Sequence, residues 1–392
     1  MRNFVYTTPT KIIFGKDTEK ECGGLIRAEG CKKALVVYGG GSAKRSGLLD
    51  RVLASLDEAG VEHIELGGVV PNPRLSLVYK GLDIARREGV DFLLAVGGGS
   101  VIDTAKAIGM ALRYDGDVWD FYDFRVVPKA TAPVGSVLTI ASAGSEMSNS
   151  SVITKDEGGL KRGIKYDVIR ARFAIMNPEL TYTLPFFQTA NGAVDIMMHT
   201  MERYFTTEKD LFLTDALAEG LMRTVMKCIR ILKDDPKNYA ARANMMWASS
   251  LSHNGLMGCG SLEDWGAHQL EHELSGMFDC SHGAGLAAIW GSWARYVMDV
   301  DYGRFAQFAV NVMGVEKGAD DRETAEKGVA ALEDFYRSLN MPTNIRELGY
   351  VLTDEQINEL AVKCTFFGRR TISNFKKLGR EDIANIYKMA RG

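Results

Sequence analysis

Over its first half the chain alternates short, wholly apolar runs with longer amphipathic stretches; in its second half the short runs disappear. Residues 33–38, 91–96 and 133–139 are rich in β-branched and apolar residues, the pattern of strands buried on both faces of a parallel sheet. Residues 11–14, 63–66, 151–154 and 171–176 read as further strands. Helical spacing predicts helices over 17–30 and 47–59, another launched near Arg74 after Pro71-Asn72-Pro73, and one opening at Val101. Asp156–Gly159 is a turn. Strands alternating with helices in this way predict an α/β fold built on a Rossmann-like, doubly wound parallel sheet.

From about Leu184 long helical periods take over, at 186–206, 211–233, 238–258, 262–277, 283–298, 302–313, 320–339 and 354–366. Asp234-Asp235-Pro236 and Asn340-Met341-Pro342 are breaks between them. The chain therefore divides into an α/β domain, 1–183, and an all-helical domain, 184–392, a number of domains that 392 residues readily supply.

Composition narrows the function. The net charge is −3, so no broad attraction to nucleic acid or to an anionic membrane is expected. No apolar stretch is long enough to span a bilayer, and the first residues carry no secretory pattern. Six cysteines, none in a C-x-x-C pair, read as free thiols in a reducing compartment, so a cytoplasmic protein is expected.

Two patterns carry chemistry. Asp195 and His199 stand four apart on one predicted helix, His268 and His272 four apart on another, and His282 begins a third. That spacing puts each pair on one helix face, and a carboxylate with several imidazoles suits a borderline divalent ion such as Fe2+ or Zn2+. The same spacing also occurs on solvated helices. The second pattern is a pair of glycine turns at strand ends, Gly39-Gly40-Gly41-Ser42 and Gly97-Gly98-Gly99-Ser100. The latter opens a helix through Asp103 and Lys106, a place where backbone N–H groups can cradle a phosphate.

Gly192-x-x-Asp195-x-x-x-His199, then His268-x-x-x-His272, then His282-Gly283 resembles the iron-containing (group III) alcohol dehydrogenase family. The resemblance runs over essentially the whole chain and implies a dehydroquinate synthase-like architecture. It implies that Asp195, His199, His268 and His282 hold the metal, and that His272 stands near the substrate but off the metal, a place from which it either relays a proton to solvent or packs against and orients a ligand. It identifies Gly97, Gly98, Gly99, Ser100 and Asp103 with the pyrophosphate loop, and Thr139 and Ser142 with positions near the nicotinamide and phosphates. Lys161 matches the ribose lysine, with Lys165 as a competitor. Members preferring NAD carry an Asp where Gly39 stands; with Gly39, Gly40, Ser42, Lys44 and Arg45 here, NADP is expected, NAD being possible.

The implied activity is metal-assisted hydride transfer between NAD(P) and short or medium primary alcohols or aldehydes, as in a butanol dehydrogenase, from a cleft between the two domains. A homodimer is expected, its extended N-terminus available to pair with a second subunit. Competing readings are a dehydroquinate synthase-like or glycerol dehydrogenase-like enzyme, and a non-catalytic metal- or nucleotide-binding protein. The first would want several cations near the metal for an anionic substrate, where only Arg203 is found.

Overall fold

The computed structural model describes all residues, Met1–Gly392, as two compact units. One, the sheet unit, comprises Thr7–Leu184 and Lys237–Ser250; the other, the helical unit, comprises Met1–Tyr6, Pro185–Pro236 and Leu251–Gly392.

The sheet unit runs through β1 (Lys11–Phe14), α1 (Cys22–Ala28), β2 (Lys33–Gly39), α2 (Ser42–Arg45), α3 (Leu48–Glu58), β3 (Glu62–Val69), α4 (Leu75–Glu88), β4 (Phe92–Gly97), α5 (Gly99–Ala111), α6 (Trp119–Tyr122), β5 (Val134–Leu138), β6 (Ser150–Lys155), β7 (Leu160–Lys165) and β8 (Phe173–Met176). Six strands form one parallel sheet in the order β1-β8-β5-β4-β2-β3. Both faces are buried, as the apolar runs require. Leu35, Val37, Leu93 and Ala95 pack into the core beneath α4 and α5, while Ala34, Val36, Leu94 and Val96 pack into the core beneath α1 and α3. The expected parallel α/β sheet followed by a helical region is what the chain forms.

Strand 151–154 does not join that sheet. As β6 it pairs antiparallel with β7, a strand the apolar pattern misses. The reason is local: β7 carries Lys161 and Arg162, yet both are buried. β1 pairs in parallel with β8, which makes it an edge strand of the large sheet.

The helical unit contains α7 (Phe186–Tyr204), α8 (Phe212–Asp234), α10 (Gly266–Phe278), α11 (His282–Val297), α12 (Tyr302–Asn311), α13 (Asp321–Ser338), α14 (Asp354–Cys364) and α15 (Arg380–Ala390); α9 (Tyr239–His253) starts in the sheet unit and ends here. α7 is buried almost all round from Thr189 onward, as a core helix must be. An aromatic core of Phe205, Trp290, Trp293, Phe305 and Phe308 holds α11 and α12 together. α15 was not expected, because its apolar face is only Ile383, Ile386, Tyr387 and Ala390.

Two segments depart from a division at 183/184. Residues 237–250 belong with the sheet, because Met246 enters the sheet's core, Ser249 Oγ exchanges hydrogen bonds with the backbone of Ser142 (both 3.1 Å), and Ser250 Oγ donates to Glu146 Oε1 (2.5 Å). Residues 1–6 belong with the helices: Arg2 N donates to Gly260 O (2.9 Å) and its guanidinium pairs with Glu208 (3.2 Å). No helix is long and apolar enough to cross a membrane.

Candidate metal centre and nucleotide loops

α7, α10 and α11 bring four sequence-singled side chains to one point in the helical unit. The Nε2 atoms of His199, His282 and His268 lie 3.3, 3.7 and 3.9 Å from a single oxygen, Asp195 Oδ1. Asp195, His268 and His282 each offer a ligand atom within 4.8 Å of the others. Ligand atoms bonded at roughly 2.0–2.2 Å to one tetrahedral cation stand about 3.3–3.6 Å from one another, and the three distances to Asp195 Oδ1 run from that spacing to a few tenths of an ångström beyond it. Asp195, His199 and His268 are buried; His282 keeps a quarter of its side chain exposed.

Carboxylates set the direction of two of the rings. Glu202 Oε1, on α7, accepts from His268 N (2.8 Å) and His268 Nδ1 (2.9 Å). Glu271 Oε2, on α10, is hydrogen-bonded to His282 Nδ1. A proton held at Nδ1 leaves the Nε2 lone pair facing Asp195, which is what a metal ligand needs. His268 Nε2 is buried and has no hydrogen-bond partner, so an inward lone pair is left for a cation. Burial holds the His199 imidazole well below its usual pKa, in the neutral form that ligates. Burial also pulls on His268, but Asp195 and Glu202 outweigh it and raise that ring. One carboxylate, three imidazoles and two supporting carboxylates thus fit a borderline divalent cation.

The sequence reading missed Glu202 and Glu271. Their signal is a position three residues after a candidate ligand histidine, His199 and His268 respectively. It also missed Asn191 and Asp264. Asn191 Oδ1 caps α11 by accepting from Ala284 N (2.8 Å). α7 and α11 meet so closely there that a Cβ on Gly283 would lie 2.3 Å from Asn191 O, which accounts for glycine after His282. Asp264 anchors the start of α10: its carboxylate accepts from Gly266 N (2.8 Å), Asn374 N (2.6 Å), Phe375 N (2.6 Å) and Ser373 Oγ (2.5 Å). Burial, helped by the neighbouring Glu202 charge, pushes the Asp264 carboxyl up to about 6.

His272 is half-buried, with its ring 5.8 Å from that of His282 and 6.4 Å from that of His268. Arg203 is buried and engaged internally: Nη1 donates to His199 O (2.6 Å), Nε lies 3.1 Å from Glu263, and the guanidinium covers Trp265 at 4.8 Å. Cys280 is buried and turns its Sγ to Ser275 Oγ, 3.6 Å away.

In the sheet unit the two glycine turns come together. β2 and β4 are neighbours, with Tyr38 opposite Val96, so Gly39–Ser42 and Gly97–Ser100 leave the same carboxyl edge side by side. The strand order reverses there: β3 lies to one side of β2 and β4 to the other, the switch point where open α/β sheets bind ligands. Gly98 precedes α5, and a Cβ on it would lie 2.4 Å from Ile140 Cγ2. Thr139 N donates to Gly97 O (3.1 Å), placing Thr139 against the loop.

Other proposed cofactor positions have clear internal contacts. Asp103 Oδ1 accepts from Ser145 Oγ (2.6 Å) and Oδ2 from Val152 N (2.9 Å). The Lys106 ammonium donates to the carbonyls of Ser145, Ser148 and Ser150 (2.7, 3.0 and 2.9 Å). Both residues therefore hold the 145–152 segment in place. Lys161 is buried whereas Lys165 is exposed. Lys44 is not a lone cation: it pairs with Glu65 (3.1 Å), which also accepts from Tyr38 OH (2.8 Å). Arg45 folds back over the turn, with Nη1 3.2 Å from where a Gly41 Cβ would be.

Comparison with known proteins meets this geometry from outside. Residues 9–178 match the model of the iron-containing alcohol dehydrogenase family, and residues 189–391 match the C-terminal model of the Fe-containing alcohol dehydrogenase family. The chain is 38% identical over 389 residues to the NADH-dependent butanol dehydrogenase A of Clostridium acetobutylicum, covering 99% of each chain. It is 34% identical over 394 residues to the NADPH-dependent aldehyde reductase YqhD of Escherichia coli, covering 100% of each. The crystal structure of NADH-dependent butanol dehydrogenase A from Thermotoga maritima superposes with a TM-score of 0.96 at 35% identity, covering 100% of this chain and 99% of that one.

Proposed function

Because the chain belongs to the iron-containing alcohol dehydrogenase family, we propose that it interconverts short or medium primary alcohols and their aldehydes, as a butanol dehydrogenase-type enzyme using NADP and Fe2+ or Zn2+. The observation that carries this reading is the approach of three imidazole Nε2 atoms to one oxygen of Asp195.

When bound, the cation supplies Lewis acidity at the substrate oxygen and the nicotinamide gives or takes the hydride. Asp195, His199, His268 and His282 hold the cation; Glu202 and Glu271 keep two of the rings turned toward it and add negative charge. His272, half-buried beside His282, passes the hydroxyl proton toward solvent. Gly97–Ser100 and the first turn of α5 bind the pyrophosphate, Thr139 and Ser142 the neighbouring nicotinamide and phosphate groups, and Lys161 the ribose. Asp103 serves this loop through Ser145 and Val152.

The NADP preference rests on the Gly39–Ser42 turn. Gly39 brings no carboxylate to repel a 2′-phosphate, and Ser42 and Arg45 stand ready to bind one, whereas Lys44 is committed to Glu65. Against a dehydroquinate synthase-like reaction, Arg203 is buried and spent on Glu263 and His199 O, and so is not offered to an anionic substrate. Free cysteines throughout accord with a cytoplasmic setting.

The test is butanal reduction, followed by loss of reduced-nicotinamide absorbance, with each cofactor and before and after chelation. NADPH should be favoured by about tenfold or more in kcat/KM, and chelation should abolish turnover. Equal or better efficiency with NADH would overturn the cofactor assignment. Full activity without metal would overturn the metal assignment.

A further inference from the structure

The three candidate imidazole ligands are not held in the same way. Each of two ligand helices supplies the carboxylate that orients the histidine of the next: Glu202 of α7 holds His268 of α10, and Glu271 of α10 holds His282 of α11. The series has no member for His199. Its Nδ1 is buried without a hydrogen-bond partner, although a ligand ring needs its rotation about the Cβ–Cγ bond fixed. Something other than a hydrogen bond must set that ring.

His253, the last residue of α9, meets the requirement. Its ring lies face to face with that of His199, with centroids 4.0 Å apart and planes 24° from parallel. It is the tightest ring contact in the site and lies on buried groups, where stacking geometry is restrictive. Trp265 closes the cage, its ring 5.7 Å from both His199 and His253 and 5.0 Å from His268. Trp265 itself takes a left-handed backbone conformation (φ 67°), unusual for a bulky residue, and its Nε1 donates to Glu263 Oε2 (2.6 Å). A strained residue pinned by its own hydrogen bond at a ligand cluster is the sort of conformation that surrounding structure has to enforce.

We propose that His253 is a positioning residue of the metal centre, fixing the His199 imidazole by ring stacking where its two fellow ligands are fixed by carboxylates. The inference rests on the metal reading above. His253 acts through its ring face, so another flat ring should replace it and an aliphatic side chain should not.

The experiment compares full-length wild type, His253→Leu, His253→Phe and His268→Ala, stripped of metal and titrated with Co2+ against a competing chelator. The visible absorption of the Co2+ form reports ligand geometry, and thermal melting of the metal-free chains reports folding. His253→Leu should weaken Co2+ binding by about tenfold and change the Co2+ spectrum, with His253→Phe returning both to within about threefold of wild type. If His268→Ala abolishes Co2+ binding while a folded His253→Leu keeps wild-type affinity and spectrum, the stacking role is refuted and the metal reading stands. A Phe variant that folds yet fails to rescue refutes the stacking role equally. If His268→Ala also binds Co2+ as wild type does, the metal reading itself fails and takes the inference with it.

Discussion

Removing Glu202 tests the centre at the point where orientation, not ligation, is at stake. Its Oε1 takes two donors from one residue, His268 N at 2.8 Å and His268 Nδ1 at 2.9 Å, and the side chain is buried. In Glu202→Ala both donors lose their acceptor out of reach of water. Each buried unsatisfied donor costs roughly 1–3 kcal/mol, so the metal-free protein should lose about 2–6 kcal/mol. That is a large part of a typical stability of about 5–15 kcal/mol but does not exceed it, so a folded variant is expected. Without Glu202 the His268 ring can turn and its Nδ1 proton is no longer fixed, and losses of supporting groups of this kind run to about 10–100-fold in metal affinity. That equals roughly 1.4–2.7 kcal/mol in binding. Glu202→Gln keeps an acceptor of similar shape but not the charge, and should fall nearer the tenfold end. The assay is chelator competition with Co2+ or Zn2+ on dialysed protein, with NADPH fluorescence titration as the control for the sheet unit. A folded Glu202→Ala chain that binds metal within about twofold of wild type would refute the reasoning.

Three further outcomes are expected. Gly283→Ala would set a Cβ 2.3 Å from Asn191 O, forcing the start of α11 away from α7 and carrying His282 with it; metal content should fall while NADPH binding stays unchanged. Gly98→Val should do the reverse, since its Cβ would lie 2.4 Å from Ile140 Cγ2 at the mouth of α5: KM for NADPH should rise by about tenfold or more at wild-type metal content. Asp264 should leave a mark on stability against pH. Its carboxyl is raised from 3.8 to about 6, so the folded chain binds more protons than the unfolded one between those values, and the contribution falls as pH rises through that window by about 3 kcal/mol. Asp264→Asn removes that group, so the urea midpoint of wild type relative to the variant should drop between pH 4 and pH 6.5; parallel curves would contradict it.

How much of this could be read from the residues depends on what each element needs. β2, β4 and β5 were legible because a strand buried on both faces must be apolar throughout. β7 was not, because Lys161 and Arg162 are buried in a two-stranded hairpin whose partner no local pattern reveals. Asp195 with His199 and His268 with His272 stand out because helical spacing puts each pair on one face, while the choice of Asp195, His199, His268 and His282 as ligands comes only with the family resemblance. Glu202 and Glu271 do not stand out, because a glutamate one turn along a helix is ordinary until its partner on the next helix is known. Nor does His253, whose stacking partner lies 54 positions earlier in the chain. The allocation of 237–250 to the sheet unit rests on Met246, Ser249 and Ser250, residues whose types fit a helix in either unit.

That last segment bears on how the polypeptide can be cut or made. A fragment ending at residue 184 contains every strand of the large sheet, yet it lacks Ser249 for the Ser142 backbone, Ser250 for the buried Glu146 carboxylate and Met246 for the core. During synthesis β1 leaves the ribosome first but must wait for β8 about 160 residues later, and the unit it belongs to stays open until residue 250 has emerged. An expressed half-protein intended as a cofactor-binding module should therefore run past α9, joined by a linker in place of α7 and α8, or it will expose the floor on which its own loop stands.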